Sequence, residues 1–193
     1  DQDLSRLGGS SAKIWDMTAE EIRAVDIGVM AGEEFRGERI ATLDEMLAIA
    51  KGRIKLNIEL KFYGHDQNLA QRAIDLVKAH GMEDQVVFQS LSYQELQNVR
   101  RIDPSFQVGY LMAVGAGDPG ELDVDFYSVE QGKADGRFIR TTHRAGREVA
   151  EPQGEHLVGR RQREGQVQGA DHVHRRLPQV SRALRRRRYR CAG

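Results

Sequence analysis

Glu59 and Lys61 are the residues of this chain best placed to do chemistry. They lie in the run from Ile54 to Lys61, where Ile54, Leu56, Ile58 and Leu60 alternate with Lys55, Asn57, Glu59 and Lys61. Period-two alternation makes this a strand with an apolar row on one face and a polar row on the other. Two residues apart, Glu59 and Lys61 share the polar face, with Cα atoms roughly 6–7 Å apart. The carboxylate could hold a hard cation while the ammonium meets a phosphate. A wet edge strand with no chemistry produces the same pattern, and periodicity alone does not separate the two.

The elements around this strand narrow the choice. A strand flanked by helices usually reads apolar on both faces. A closed barrel accommodates a mixed one: the apolar row faces the outer helices and the polar row points inward near a mouth. Three capping boxes predict helix starts, at Thr18 with Glu21, Thr42 with Glu45 and Ser92 with Glu95. A further helix is predicted over 66–80, with Leu69, Ala70, Ala73, Ile74 and Val77 as its stripe and Gly81 at its C′ position. Another is predicted around Phe138–Arg144. Strands are predicted at Ile54–Leu60, Val86–Gln89, Gln107–Leu111 and Val124–Val129, then at Glu148-Val149. Strand and helix in alternation, with connections too long for hairpins, read as a parallel α/β sheet.

The chain has 193 residues and no formal net charge, but the zero hides an asymmetry. Residues 150–193 hold eleven Arg against four acidic residues, a net of +7, which leaves residues 1–149 at −7. After Val149 the pattern dissolves. Leu157, Val158, Val167, Val173, Leu177, Val180 and Leu184 stand singly, no Lys follows Lys133, and Arg185 to Arg188 form an unbroken run. Such a segment buries too little apolar surface to offset its ordering entropy. The expected organisation is therefore an α/β domain over 1–149 and an Arg-rich tail over 150–193, disordered or read out of frame. The single cysteine, Cys191, excludes an intrachain disulfide. No run approaches the roughly 18 apolar residues of a membrane span. No signal-peptide pattern opens the chain, and Asp1-Gln2-Asp3-Leu4-Ser5-Arg6 begins it as though cut from something longer.

Other candidate constellations have bland readings. Gly115 to Gly120 matches G-x-G-x-x-G, but Asp118-Pro119-Gly120 makes a turn where a dinucleotide fingerprint needs a helix start. His156, His172 and His174 fit no common zinc spacing. The arginine run has only Tyr189 beside it, no stacking platform, so a nucleic-acid partner is not expected. His143 and Arg144 read as a solvated helix surface, and Asp123 and Asp125 as loop and strand-end residues. Gln89-Ser90 ends a strand at the face where α/β sites form, with ligand binding and turn formation both open.

Several segments in order resemble one family. Asn57-Ile58-Glu59-Leu60-Lys61 is similar to the hallmark strand of glycerophosphodiester phosphodiesterases. Asp1 to Arg6 looks like the segment that follows a catalytic His there, and Arg39-Ile40-Ala41-Thr42-Leu43 like a helix entry. Trp15-Asp16-Met17-Thr18, Glu20-Glu21-Ile22, Asp26-Ile27-Gly28, Phe88-Gln89-Ser90-Leu91, Asp103-Pro104, Gly109-Tyr110-Leu111 and His143-Arg144-Ala145-Gly146 also fall in order. The resemblance covers about 1–149 and implies the middle of a TIM (β/α)8 barrel of roughly 250 residues, so the fold expected is α/β, an incomplete TIM barrel with a basic tail. It implies metal-assisted hydrolysis of a glycerophosphodiester to glycerol 3-phosphate and an alcohol. Glu59 matches a metal-ligand carboxylate, and Lys61 a catalytic and substrate-binding residue that offsets phosphate charge. The divalent metal would be Mg²⁺ or Ca²⁺, both oxygen-seeking. The family's catalytic His residues and its Glu-x-Asp ligands would precede Asp1, and its Trp-Thr-Val-Asn strand would follow Val149. The isolated chain is therefore expected to bind metal weakly and to be inactive. The alternative is a non-catalytic protein whose basic tail binds polyanions, nucleic acid or anionic lipid. Localisation stays open between a cytoplasmic and a membrane-tethered parent.

Overall fold

The computed structural model describes residues 1–7, 9, 11–112, 120–129 and 134–150, with the backbone alone at 157–158. All of these fall within the unit Asp1–Gly159. The G-x-G-x-x-G run up to position 119, the three tail histidines and the arginine run lie outside the described residues.

Two of the predicted capping boxes form in full. Before α1 (Ala19–Ala24), Thr18 Oγ1 accepts from the Glu21 amide at 3.2 Å, and Glu21 Oε2 accepts from the Thr18 amide at 2.7 Å. Before α2 (Leu43–Ala50), Thr42 and Glu45 repeat the exchange at 3.2 and 2.8 Å. Each box satisfies two of the orphan amides of a first turn. Glu45 also takes both arms of the Arg23 guanidinium, at 2.9 and 3.0 Å, which fastens α1 to α2. That guanidinium, with the Thr42 amide, holds the Glu45 carboxyl down to about 2.

α3 (Leu69–Ala79) is shorter than the 66–80 expected, because Asp66 Oδ1 accepts from the Asn68 amide at 2.9 Å and bends the chain before the helix. Its predicted stripe of Ala70, Ala73, Ile74 and Val77 is buried. Gly81 adopts φ +60, as a C′ residue requires. Its amide donates to Lys78 O at 2.9 Å and the Met82 amide to Val77 O at 3.1 Å, the paired bonds of a Schellman end.

The third capping box is only half made. Ser92 accepts from the Glu95 amide at 3.4 Å before α4 (Tyr93–Ile102), but its own amide donates to Ser90 Oγ at 3.0 Å instead of to Glu95. Glu95 turns into the layer between α3 and α4, where it is 2% exposed and accepts from Asn98 Nδ2 at 2.8 Å. Tertiary packing overrides the local motif there. α5 (Gly136–Arg144) starts two residues earlier than expected, because the Asp135 side chain accepts from the Phe138 amide at 2.7 Å.

The strands are β1 (Leu56–Glu59), β2 (Val86–Ser90), β3 (Val108–Met112), β4 (Phe126–Val129), β5 (Glu148–Ala150) and β6 (Leu157–Val158). They form one sheet in sequential order, parallel from β1 to β5, with β6 antiparallel to β5. Parallel strands in unbroken sequential order have no topological switch point, so the sheet is barrel-like and not doubly wound. The tail expectation had Leu157 and Val158 unpaired; the backbone instead pairs them with Ala150 and Val149. The rest of that expectation lies outside the described residues.

The two faces of the sheet differ. Val86, Phe88, Val108, Met112, Tyr127, Val129 and Val149 pack with Leu47, Ile74, Val77, Leu96 and Val99 in one helix-side core. Phe88 and Phe106 meet there edge to face, centroids 5.2 Å apart. Each such fully buried large apolar side chain contributes roughly 1.5–3 kcal/mol. Alternation then places Asn57, Glu59, Val87, Gln89, Gly109, Leu111, Phe126 and Ser128 on the opposite face, the one a barrel turns inward. At the N-terminal strand ends, Asp125 Oδ2 ties the sheet together, accepting from the Val108 amide at 2.7 Å and from Arg100 at 2.8 Å. Asp125 is thus the structural strand-end residue expected. Among the described residues no helix is long and apolar enough to cross a membrane.

Candidate active site

β1 delivers Glu59 as its last paired residue, and two residues further on the chain carries Lys61 past the end of the strand. Of the polar row foreseen for this strand, only Asn57 and Glu59 lie within the paired segment. Lys61 still turns toward Glu59, with Nζ 3.8 Å from Glu59 Oε2 and 3.1 Å from Asp1 Oδ1. The structure thus brings together the two residues singled out in sequence and adds Asp1. Lys61 is exposed and Glu59 is 28% exposed. Ion pairs this wet contribute only ~0–1 kcal/mol. The ammonium is therefore held near the carboxylates without being locked there.

The strand register extends the site sideways. Glu59 pairs with Gln89, Gln89 with Gly109, Gly109 with Phe126, and Phe126 with Glu148. Gln89 is 5% exposed, and its Oε1 accepts from Asn57 Nδ2 at 3.0 Å, an orientation chosen by the hydrogen bond itself. Gly109 lets Phe126 lie across β3, since a Cβ at 109 would stand 2.0 Å from Phe126 Cε2. Ser90, paired with Gln89 in the sequence reading, has a turn role: Oγ donates to Leu60 O at 2.6 Å and accepts from the Ser92 amide.

The segment leaving β1 carries Tyr63 and His65, and these meet Trp15 from the 3-10 turn Ile14–Asp16. The His65 ring stacks on the indole at 4.1 Å and 14°, and Tyr63 stands 5.8 Å away at 47°. Asp1 and Trp15 arrive together because Asp3 and Lys13 form a backbone bridge and the Ile14 amide donates to Gln2 O at 3.0 Å. Sequence reading missed both this ring cluster and the Asn57–Gln89 pair. Parity against Val86 and Phe88 could have placed Gln89 on the inward face. His143 departs from its expected solvated position: it is half-buried, with Nε2 shielded and unpartnered, while Arg144 is exposed.

A hard divalent cation takes six or more oxygen ligands, most of them carboxylates, carbonyls and waters. Glu59 and Asp1 offer carboxylates, but both already face the Lys61 ammonium. Among the described residues no group of three or more His, Cys, Asp or Glu could hold a metal ion. The described residues therefore do not by themselves make a metal site.

The family model for the glycerophosphoryl diester phosphodiesterase family matches residues 1–165. The chain belongs to that family. It is 29% identical over 127 residues to a glycerophosphodiester phosphodiesterase of Caldanaerobacter subterraneus subsp. tengcongensis, a match covering 63% of this chain and 51% of that protein. The chain thus spans about half the length of this curated relative. An Oleispira antarctica phosphodiesterase, solved in complex with the product sn-glycerol-3-phosphate, superposes with TM-score 0.70 at 25% identity, over 77% of this chain and 63% of that one. A glycerophosphodiester phosphodiesterase from Agrobacterium tumefaciens str. C58 superposes with TM-score 0.63 at 23% identity, over 77% and 64%, and supports the fold alone. The barrel-type α/β fold expected from the sequence is the fold these structures share.

Proposed function

We propose that Glu59 and Lys61 belong to the reacting face of a phosphoric diester hydrolase that cleaves glycerophosphodiesters to glycerol 3-phosphate and an alcohol. The observation that carries this reading is the 3.8 Å approach of Lys61 Nζ to Glu59 Oε2 at the C-terminal end of β1. In barrels built of parallel strands, that end is where chemistry is done. The Oleispira protein, with its bound sn-glycerol-3-phosphate, supports the product class. Lys61 swings from its carboxylates to the phosphoryl oxygens and stabilises the charge that builds on them in the transition state. Glu59 would supply one oxygen ligand to a Mg²⁺ or Ca²⁺ ion, which would neutralise phosphoryl charge when bound. The described residues supply too few ligands to hold such an ion tightly, and weak binding by the isolated chain is the expectation.

Among the described residues no histidine hydrogen-bonds to Glu59 or Lys61. Of the described histidines, His65 stacks on Trp15, His80 bonds Asp44 at 2.8 Å, and His143 lies on α5. No turnover by residues 1–193 alone is therefore the expectation to be tested. The test is a titration of the chain with sn-glycerol 3-phosphate, followed by the amide shifts of β1 and of Lys61. Saturable shifts that vanish in Lys61→Met are expected, with no release of glycerol 3-phosphate from diesters. Binding that is unchanged in Lys61→Met would remove the residue from the site. Chelator-sensitive turnover lost in Glu59→Gln would overturn the claim of inactivity.

A further inference from the structure

β1 is the end strand of the sheet, and its outer edge is unpaired among the described residues. Along a strand, successive backbone groups point alternately to the two sides. The Leu60 amide donates to Gln89 O at 2.8 Å, so the even positions Leu56, Ile58 and Leu60 serve β2. The odd positions Lys55, Asn57 and Glu59 therefore turn their N–H and C=O groups outward, and no described residue bonds them. Side-chain cover is thin along the same edge. In the neighbouring strands Val86, Phe88 and Val108 are 4%, 0% and 0% exposed, whereas Leu56 and Ile58, in register with Val86 and Phe88, are only half-buried. α2 belongs to this end of the helix layer, since Asp44 at its start bonds His80 at the end of α3, and α3 connects β1 to β2. It leaves Met46 and Ile49 41% and 53% exposed.

An open edge is a template for another strand, and lysine on such an edge usually repels one. Here the charges select a particular partner, because the strand is complementary to itself. Run antiparallel about Asn57, a second copy sets its Asn57 against Asn57, its Glu59 against Lys55 and its Lys55 against Glu59. All three pairs join outward-pointing residues, so they are the hydrogen-bonded pairs of an antiparallel ladder. Opposite charges directly across such a ladder are stabilising. Centring the pair on Ile58 instead would set Lys55 against Lys61, like against like. Between the polar pairs, Leu56 of each copy meets Ile58 of the other on the helix side. The symmetry axis stands normal to the sheet, so both helix layers stay on one face and the two α2 helices flank one joint. The chain's formal net charge of zero sets no long-range repulsion against its own kind. We infer that this chain forms a symmetric dimer through the outer edge of β1, Lys55 to Glu59 of each copy pairing antiparallel about Asn57. Each Glu59 then faces the Lys55 ammonium of the second copy as well as Lys61 of its own chain.

Sedimentation velocity of residues 1–193 over about 1 μM to 1 mM, the range a small contact populates, should show a monomer giving way to a dimer. Lys55→Glu sets two carboxylates against each other at both symmetry-related pairs, so the dimer should weaken at least about tenfold. Lys55 is exposed, so this variant should keep the far-UV circular dichroism of the wild type. Register is read by cross-linking in a Cys191→Ser background, which removes the only natural cysteine. Asn57→Cys should oxidise to a covalent dimer, because hydrogen-bonded partners have Cα atoms about 5.5 Å apart, within a disulfide's reach. Lys55→Cys should not, because its two copies stand four residues apart along the ladder, roughly 13 Å. A chain that stays monomeric throughout the range overturns the inference. So does a dimer untouched by Lys55→Glu, or one that cross-links through Lys55→Cys and not through Asn57→Cys.

Discussion

Gly109→Ala is the smallest change that should disturb the inward face of the sheet. A Cβ built there would stand 2.0, 2.2 and 2.6 Å from Cε2, Cζ and Cδ2 of Phe126. Carbon atoms pack at about 3.5–4.0 Å, so the ring must move by more than 1 Å or β3 and β4 must separate. Phe126 and Gly109 are register partners between two backbones, so neither can retreat without breaking ladder bonds. Overpacking of this kind costs about 1–3 kcal/mol, occasionally more, and the close approach to rigid ring atoms points to the upper end. The backbone conformation of Gly109 is not in the left-handed region, so the cost is steric and not conformational. Phe126→Val removes all three clashing atoms and puts a strand-favouring β-branched residue in the ring's place. Alone it should cost on the order of 2–4 kcal/mol, somewhat less than a typical Phe→Ala. In the double variant the Ala methyl occupies space the ring has left. The two losses should then fall short of additivity by about 1–2 kcal/mol. Urea unfolding of wild type, both singles and the double, read by far-UV circular dichroism, closes the cycle. Strict additivity, or a Gly109→Ala variant as stable as wild type, would refute the account of Phe126 lying across β3.

Glu95→Gln tests the buried carboxylate between α3 and α4. Burial pushes the Glu95 carboxyl above its usual range, against the opposing bond from Asn98. A raised folded-state pKa means the native state holds the proton more tightly. The stabilisation is thus fully present below the unfolded pKa and lost as pH rises through the folded value. Urea midpoints should accordingly favour Glu95→Gln over wild type at pH 8 and converge near pH 4; a loss at pH 8 would show that the charge itself is needed. Thr42→Ala, which dissolves a complete capping box, should cost about 1 kcal/mol in the same assay, and Ser92→Ala less, since only one bond of 3.4 Å is lost. In a full-length protein carrying this segment, Lys61→Met should lower kcat/KM by an amount worth about 2–4 kcal/mol of transition-state stabilisation. Near-normal kinetics would return the strand to its wet-edge reading.

The order of elements was legible because each is announced locally. Thr18–Glu21 and Thr42–Glu45 carry their caps within four residues, the α3 stripe repeats at helical spacing, and Gly81 closes that helix with a positive φ. Where reading failed, a contact from elsewhere in the chain had won. Glu95 would complete a box with Ser92 in an isolated helix, but α3 lies against α4 and draws the carboxylate inward to Asn98 and the Ala70 amide. The start of α3 moved for a local reason that a stripe does not reveal, the Asp66 side chain closing a turn on Asn68.

The candidate site divides along the same line. Glu59 stood out because a helix-flanked parallel strand has no ordinary use for a polar face, so its polarity itself carried information. Lys61 followed from the same parity, although it lies beyond the last paired residue and reaches Glu59 by the bend of the chain and not by strand geometry. Gln89 hid in a run of apolar neighbours, and its meaning depends on Asn57 thirty-two residues earlier. Trp15 and His65 are each unremarkable in sequence. They become a pair only because Asp3 bridges Lys13 and carries the first fifteen residues, with Asp1, onto the end of β1. A strand with a core on one face and polar groups on the other declares itself by pattern. A ring cluster assembled from two distant segments leaves no period to find, so it comes into view only after that bridge has fixed where the rings stand.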